Sequence, residues 1–129
     1  MHATVVDPEK IAWQGNTSQV VLAIQDGLVG ILPGHCDSVF AIKPCIARIA
    51  LEDGKERKFF LSGGIARVVS GELTIVADSV ESPDQIDKLR AEKAKERAQS
   101  RLSQASREVD YERARLALMR AIYRLDLCN

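Results

Sequence analysis

The sequence has no excess of either charge, with 18 Lys and Arg against 18 Asp and Glu, and it has one Trp. A nucleic-acid binder needs a dominant basic surface or a set of aromatic platforms, so this composition argues against one. No apolar run is long enough to span a bilayer, and the opening "MHATVVDPEK" lacks a charged segment followed by an apolar one. The expectation is a soluble, unexported protein. Cysteines are few and without C-x-x-C spacing: Cys36, Cys45 and Cys128, with only His2 and His35 to assist them. This argues against a metal site and for three buried or partly buried thiols in a reducing compartment. Phosphate-cradling G-x-x-x-x-G-K-[ST] is absent, and Gly27, Gly30 and Gly34 lack the spacing of a dinucleotide fingerprint. They read as turn glycines. No catalytic constellation emerges, and nothing in the sequence requires a cofactor.

What is present divides at Ser82. The chain of 129 residues suits one compact domain, or a small domain with an appendage. Residues 1–82 carry seven basic and ten acidic side chains and residues 83–129 eleven and eight, giving −3 and +3. A basic C-terminal half suits an acidic partner or an anion.

Residues 1–82 read as short strands, because apolar side chains recur with period two between turn dipeptides. Asp53-Gly54 in "ARIALEDGKERKFFL" and Ser70-Gly71 in "GIARVVSGELTIVAD" predict hairpins, and Asp26-Gly27 marks a third break. In "ELTIVAD" Leu73, Ile75 and Ala77 share one face, and "SQVVLAIQ" is apolar on both faces and reads as central. The fold class predicted is α+β: a flattened antiparallel β-sandwich or barrel, then a C-terminal αα-hairpin over residues 83–129.

Ser82-Pro83-Asp84-Gln85 supplies a cap, a first-turn proline and an acceptor for a capping box, so the first helix is expected from here to about Leu102. Its apolar stripe would be Ile86, Leu89, Ala94, Ala98 and Leu102. A second helix from about Glu108 would face it with Tyr111, Ala114, Leu118, Ala121, Ile122 and Leu125. The intervening "SQASRE" contains neither Gly nor Pro, so a tight hairpin and one continuous helix are both allowed. Alanine-rich seams bury little area per turn, which makes the pairing weak and switchable.

Several local features have two readings. His35 beside Cys36 and Asp37 suggests a nucleophile and base, but sequence neighbours in a loop seldom adopt the mutual geometry this requires. The Ser62-Gly63-Gly64 turn offers backbone amides to an anion, or simply connects strands. Asp87 and Arg90 are either an exposed i,i+3 pair or part of a ligand site. Arg113, Arg120 and Arg124 form either a solvated face relieved by Glu108, Asp110, Glu112 and Asp126, or an anion seat.

The blocks "VVDPEKIAWQG", "DGLVGILPGH", "FLSGGIARV", "LTIVADSVE", "IDKLRAEKAKERA" and "DYERARLALMRAIYRL" follow one another across almost the whole chain. In this order they resemble the epsilon-subunit family of bacterial F-type ATP synthases. The resemblance implies a non-catalytic subunit of the rotating central stalk, whose sandwich, residues 1–82, binds the gamma subunit and the c-subunit ring and helps couple proton flow to rotation. It further implies that the hairpin, folded on the sandwich, permits ATP hydrolysis. Extended along gamma, it would instead obstruct the alpha/beta catalytic head. Membrane association would come only through the complex, peripherally, on the cytoplasmic face of the bacterial inner membrane. Gly34 and His35 correspond to the loop that reaches toward the c ring, where many relatives continue with a small residue, Pro and an apolar residue. Here Cys36, Asp37 and Ser38 follow instead.

Ile86, Asp87, Arg90 and Ala91 resemble the I/L-D-x-x-R-A motif of ATP-sensing members. By that resemblance Arg90, Arg97, Arg120 and Arg124 would hold the phosphates of a regulatory ATP, Asp87 the ribose and Glu81 the adenine edge, while Ala91 leaves room. The residue types suit the task, since a triphosphate needs fixed donors and ribose and adenine need acceptors. Two alternatives remain: the same stalk subunit without ATP sensing, and an unrelated ligand-binding β-sandwich that dimerises through its helices.

Overall fold

The computed structural model describes residues 1–104 and 107–128, with the backbone alone for Val109 and Cys128. Two compact units result, Met1–Glu81 and Ser82–Asn129. The first is built of strands and turns: β1 (His2–Val6), β2 (Ile11–Ile24), β3 (Gly27–Ile31), β4 (Ser38–Ile42), β5 (Cys45–Leu51), β6 (Glu56–Leu61), β7 (Gly64–Val69), β8 (Glu72–Ala77) and β9 (Val80–Glu81). Its strand order is β4-β7-β8-β1-β2-β5-β6-β9, with β3 also paired to β2.

The long strand β2 serves both layers of the sandwich. Its first half pairs with β1, as in Ala3↔Gly15, and its second half with β5 and β3, as in Val20↔Ile49 and Val20↔Ile31. The register to β5 shifts between Thr17 and Gln19, where the strand passes from one layer to the other. Thr17 is fully buried there, yet its Oγ1 donates to the Met1 carbonyl at 3.3 Å, so the polar group is satisfied.

Alternation fills the core as the pattern predicts. Leu73, Ile75 and Ala77 of β8 are buried with Ala66 and Val68 of β7, Val20 and Leu22 of β2, and Ile49 of β5. Asp53-Gly54 and Ser70-Gly71 fall between β5 and β6 and between β7 and β8, whereas the turn between β2 and β3 is Gln25-Asp26 and Gly27 opens β3. Ser70 and Gly71 both have positive φ, 50° and 79°, which a two-residue hairpin turn demands. One pairing departs from the antiparallel expectation: β1 runs parallel to β8, with Ala3 opposite Leu73. The whole of the intervening sheet supplies the connection, so no helical crossover is needed.

In the second unit the helix begins later than predicted. Pro83–Gln85 forms a single 3-10 turn, with Gln85 Oε1 accepting the Ser82 backbone N–H at 2.9 Å. Ile86 is then extended, φ −91° and ψ 125°, and this breaks the helical path. Helix α1 spans Lys88–Gln104 and helix α2 spans Glu108–Cys128. They pack against each other as a hairpin. The "SQASRE" connection includes Ala105 and Ser106, which lie outside the described residues.

The buried face of the pair also differs from the expected stripe. Ala91 is 4% exposed whereas Leu89 is 61% exposed, and Tyr111 and Ile122 are exposed as well. Ala91 and Ala98, seven apart, share a face of α1, and Ala114 and Ala121, likewise seven apart, share one on α2. Small side chains let two helix backbones approach closely, which a large Leu would prevent. Cysteine burial needs correcting too. Cys45 is buried, but Cys36 is exposed on the loop between β3 and β4; the Cys128 side chain lies outside the described residues.

Candidate functional site

The α1–α2 hairpin holds a cleft of about 170 Å³. Arg97 and Arg101 enter it from α1, and Arg120 and Arg124 from α2. Ala94, Ala98 and Ala117 complete the lining, and their short side chains leave the space open. Spacing explains the convergence: Arg97 and Arg101 are one helical turn apart, as are Arg120 and Arg124, so each pair occupies one face. Among the described residues no carboxylate lies within ion-pairing distance of Arg97, Arg101 or Arg120. Elsewhere on α2, Arg115 meets Glu112 at 3.1 Å.

Of the residues expected at a nucleotide site, the cleft gathers Arg97, Arg120 and Arg124. Arg101 was missed, although its i,i+4 relation to Arg97 was there to be used. Arg90 is exposed and lies outside the lining, two helical turns before Arg97, about 10 Å along the axis. Asp87 caps α1: its Oδ1 accepts the Arg90 backbone N–H at 3.1 Å, and its carbonyl accepts the Ala91 N–H at 2.9 Å. The expected Asp87–Arg90 pair is therefore a side-chain-to-backbone cap. Ile86 is half-buried just before this cap, and Ala91 is buried. Glu81 belongs to the first unit, at the end of β9 opposite Phe60.

The loop between β3 and β4 is fixed by its own bonds. Gly34 has φ +87°, and the His35 backbone N–H donates to the Leu32 carbonyl at 3.1 Å. Nδ1 of His35 lies 2.8 Å from the Cys36 carbonyl, which can only accept, so Nδ1 carries the proton. The ring also meets Phe40 edge-on, with centroids 5.8 Å apart. Asp37 Oδ1 accepts the Ser70 N–H at 2.9 Å and ties this loop to the β7–β8 turn. Cys36 Sγ neighbours Ser38 Oγ at 3.6 Å, so a Cys–His nucleophile pair does not form. In the Ser62-Gly63-Gly64 turn the Ser62 N–H is already donated to the Ser79 carbonyl at 3.2 Å. The turn connects strands.

Residues 1–83 match the family described as ATP synthase, Delta/Epsilon chain, beta-sandwich domain, and residues 84–129 match its long alpha-helix domain. The chain belongs to the ATP synthase delta/epsilon chain family. It is 42% identical over 123 residues to the ATP synthase epsilon chain of Clostridium novyi, covering 95% of this chain and 93% of that one. To the epsilon chain of Bacillus licheniformis it is 39% identical over 129 residues, covering 100% and 98%. A chain in the cryo-EM structure of the Euglena gracilis mitochondrial ATP synthase, OSCP/F1/c-ring in rotational state 1, superimposes with a TM-score of 0.81 at 25% identity. That match covers 93% of this chain and 76% of that chain.

As an epsilon-type chain, the protein is a non-catalytic subunit of the ATP synthase central stalk. Family membership sets aside the unrelated ligand-binding sandwich. Among the described residues no helix is long and apolar enough to cross a membrane.

Proposed function

We propose that the C-terminal hairpin of this epsilon-type subunit is an ATP-responsive regulator of ATP hydrolysis. The arginine cleft carries the reading: four guanidinium groups from two helices surround one small space. Guanidinium matches phosphate oxygens with paired N–H donors, and a ligand that touches both helices favours their folded pairing. The phosphates would sit at Arg97, Arg120 and Arg124. The ribose would lie nearer the start of α1, where one oxygen of Asp87 is committed to the cap and the other is available as an acceptor.

A ligand that binds only the folded hairpin stabilises it by RT ln(1 + [L]/Kd), about 2.7 kcal/mol at a hundredfold excess over Kd. A pairing built on alanines is weak enough for that amount to decide its state. High ATP would hold the hairpin folded and permit hydrolysis. Low ATP would release it to extend along the gamma subunit and obstruct the alpha/beta head. The sandwich would bind gamma through its outer strands and the Ser62-Gly63-Gly64 region. The Gly34–His35 loop would reach the c ring, so that proton flow is coupled to rotation on the cytoplasmic face of the bacterial inner membrane. The departure at Cys36, Asp37 and Ser38 has a use within the sandwich, since Asp37 anchors the β7–β8 turn.

The test is calorimetric titration of the full chain with ATP, beside Arg97→Ala and a GTP control. Saturable ATP binding weakened about tenfold or more by the substitution is expected, the scale of one charge-assisted contact. Absence of binding at millimolar ATP overturns the reading and leaves a stalk subunit without ATP sensing.

A further inference from the structure

We infer that the arginine cleft recognises a chain of phosphates as such, so that inorganic tripolyphosphate occupies it in competition with ATP. This deepens the ATP reading and rests on the same cleft being the ligand seat.

The chemistry of the lining carries the inference. Every charged group in it is a guanidinium, and the remaining lining residues are alanines. Arginine donates five N–H bonds and accepts none, whereas the ribose hydroxyls and the adenine amino group call for acceptors. The cleft side chains therefore distinguish neither base nor sugar. They respond to density of negative charge and to planar pairs of oxygens.

Electrostatics points the same way. Arg97, Arg101 and Arg120 are three like charges in a cleft of about 170 Å³, and among the described residues no carboxylate pairs with them. Their mutual repulsion opposes the approach of α1 and α2. A linear anion lying across the seam reverses that sign, because two of its arginine partners come from each helix. A single phosphate meets fewer of them, so affinity should rise from phosphate through pyrophosphate to tripolyphosphate. The same anion can come from a nucleoside triphosphate or from an inorganic polyphosphate, and the cleft itself does not separate these sources.

The experiment uses the full chain, the sodium salts of tripolyphosphate, pyrophosphate and ATP, and adenosine, at fixed ionic strength without divalent metal. Binding is followed by calorimetry, and helix content by circular dichroism. Tripolyphosphate is expected to bind saturably, to displace ATP, and to raise the thermal midpoint of the helical signal; adenosine does none of these. Arg101→Ala should weaken tripolyphosphate and ATP alike by about tenfold or more, Arg101→Lys by less, and Lys93→Ala, outside the lining, not at all. ATP binding that tripolyphosphate fails to displace overturns this inference and leaves the ATP reading intact. Tripolyphosphate binding without ATP binding overturns both, because a cleft that reads phosphates as such must also take the triphosphate of ATP. Binding of neither removes both. Tripolyphosphate binding that a folded Arg101→Ala chain retains in full overturns the inference by placing the seat elsewhere.

Discussion

Asp87 Oδ1 accepts a hydrogen bond from the backbone N–H of Arg90 at 3.1 Å, so one carboxylate both starts α1 and stands where a ribose contact is expected. Substitution separates the two duties. Asp87→Ala should cost the hairpin about 1 kcal/mol through the lost cap alone. Asp87→Ser keeps the cap, so any loss of ATP affinity in that variant, measured beside its unchanged helical melting, belongs to the ligand contact.

Ala98→Leu should loosen the hairpin. Ala98 is buried on α1, and the extra side-chain carbons force the helices apart at a cost of about 1–3 kcal/mol. Trypsin should then cleave faster at the arginines of α1 and α2, while unfolding of the strand unit by urea is unaffected. An unchanged cleavage rate would show that the seam has slack.

Gly64→Ala should be among the most damaging single changes in the sandwich. Gly64 has φ +149°, and an added Cβ would collide with the Val76 carbonyl oxygen of the adjacent strand. Strain and clash each cost about 1–3 kcal/mol, so a combined loss of roughly 2–6 kcal/mol is expected in urea unfolding. At Gly54, φ +88°, an added Cβ meets nothing within 4 Å, so Gly54→Ala should cost the backbone strain alone, about 1–3 kcal/mol.

Burial raises the Cys45 thiol pKa above 9.0, against a smaller opposing hydrogen bond from Ala23. Up to the unfolded value the thiol is neutral in both states and its contribution is complete. Above it the unfolded chain ionises first, so stability falls as pH rises toward the folded pKa. In a Cys128→Ser background a thiol reagent should label exposed Cys36 at once and Cys45 only on unfolding. Prompt labelling of both would contradict the burial.

Much of the sandwich was legible because strand alternation and two-residue turns are local codes. Leu73, Ile75 and Ala77 point inward as period two requires, and Ser70-Gly71 closes its hairpin. The parallel partnership of β1 and β8 was not legible, since it joins distant segments without a local signature. On the helices, ranking by hydrophobicity favoured Leu89 over Ala91, while close approach of two backbones favours the smaller residue. The start of α1 was misjudged because two capping signals lie five residues apart, at Ser82 and Asp87, and the extended Ile86 gives the helix to the second. At the cleft, the family resemblance singles out Arg97, Arg120 and Arg124. Arg101 needed the facing helix to show that its side belongs with theirs.

The fourteen residues of β2 have a mechanical meaning. Because the same strand is bonded to β1 in one layer and to β5 in the other, sliding the layers past each other strains a single continuous backbone as well as the side chains between them. Force applied to either layer is handed on through covalent bonds. For a subunit of the ATP synthase central stalk, that ties the two layers into one mechanical element.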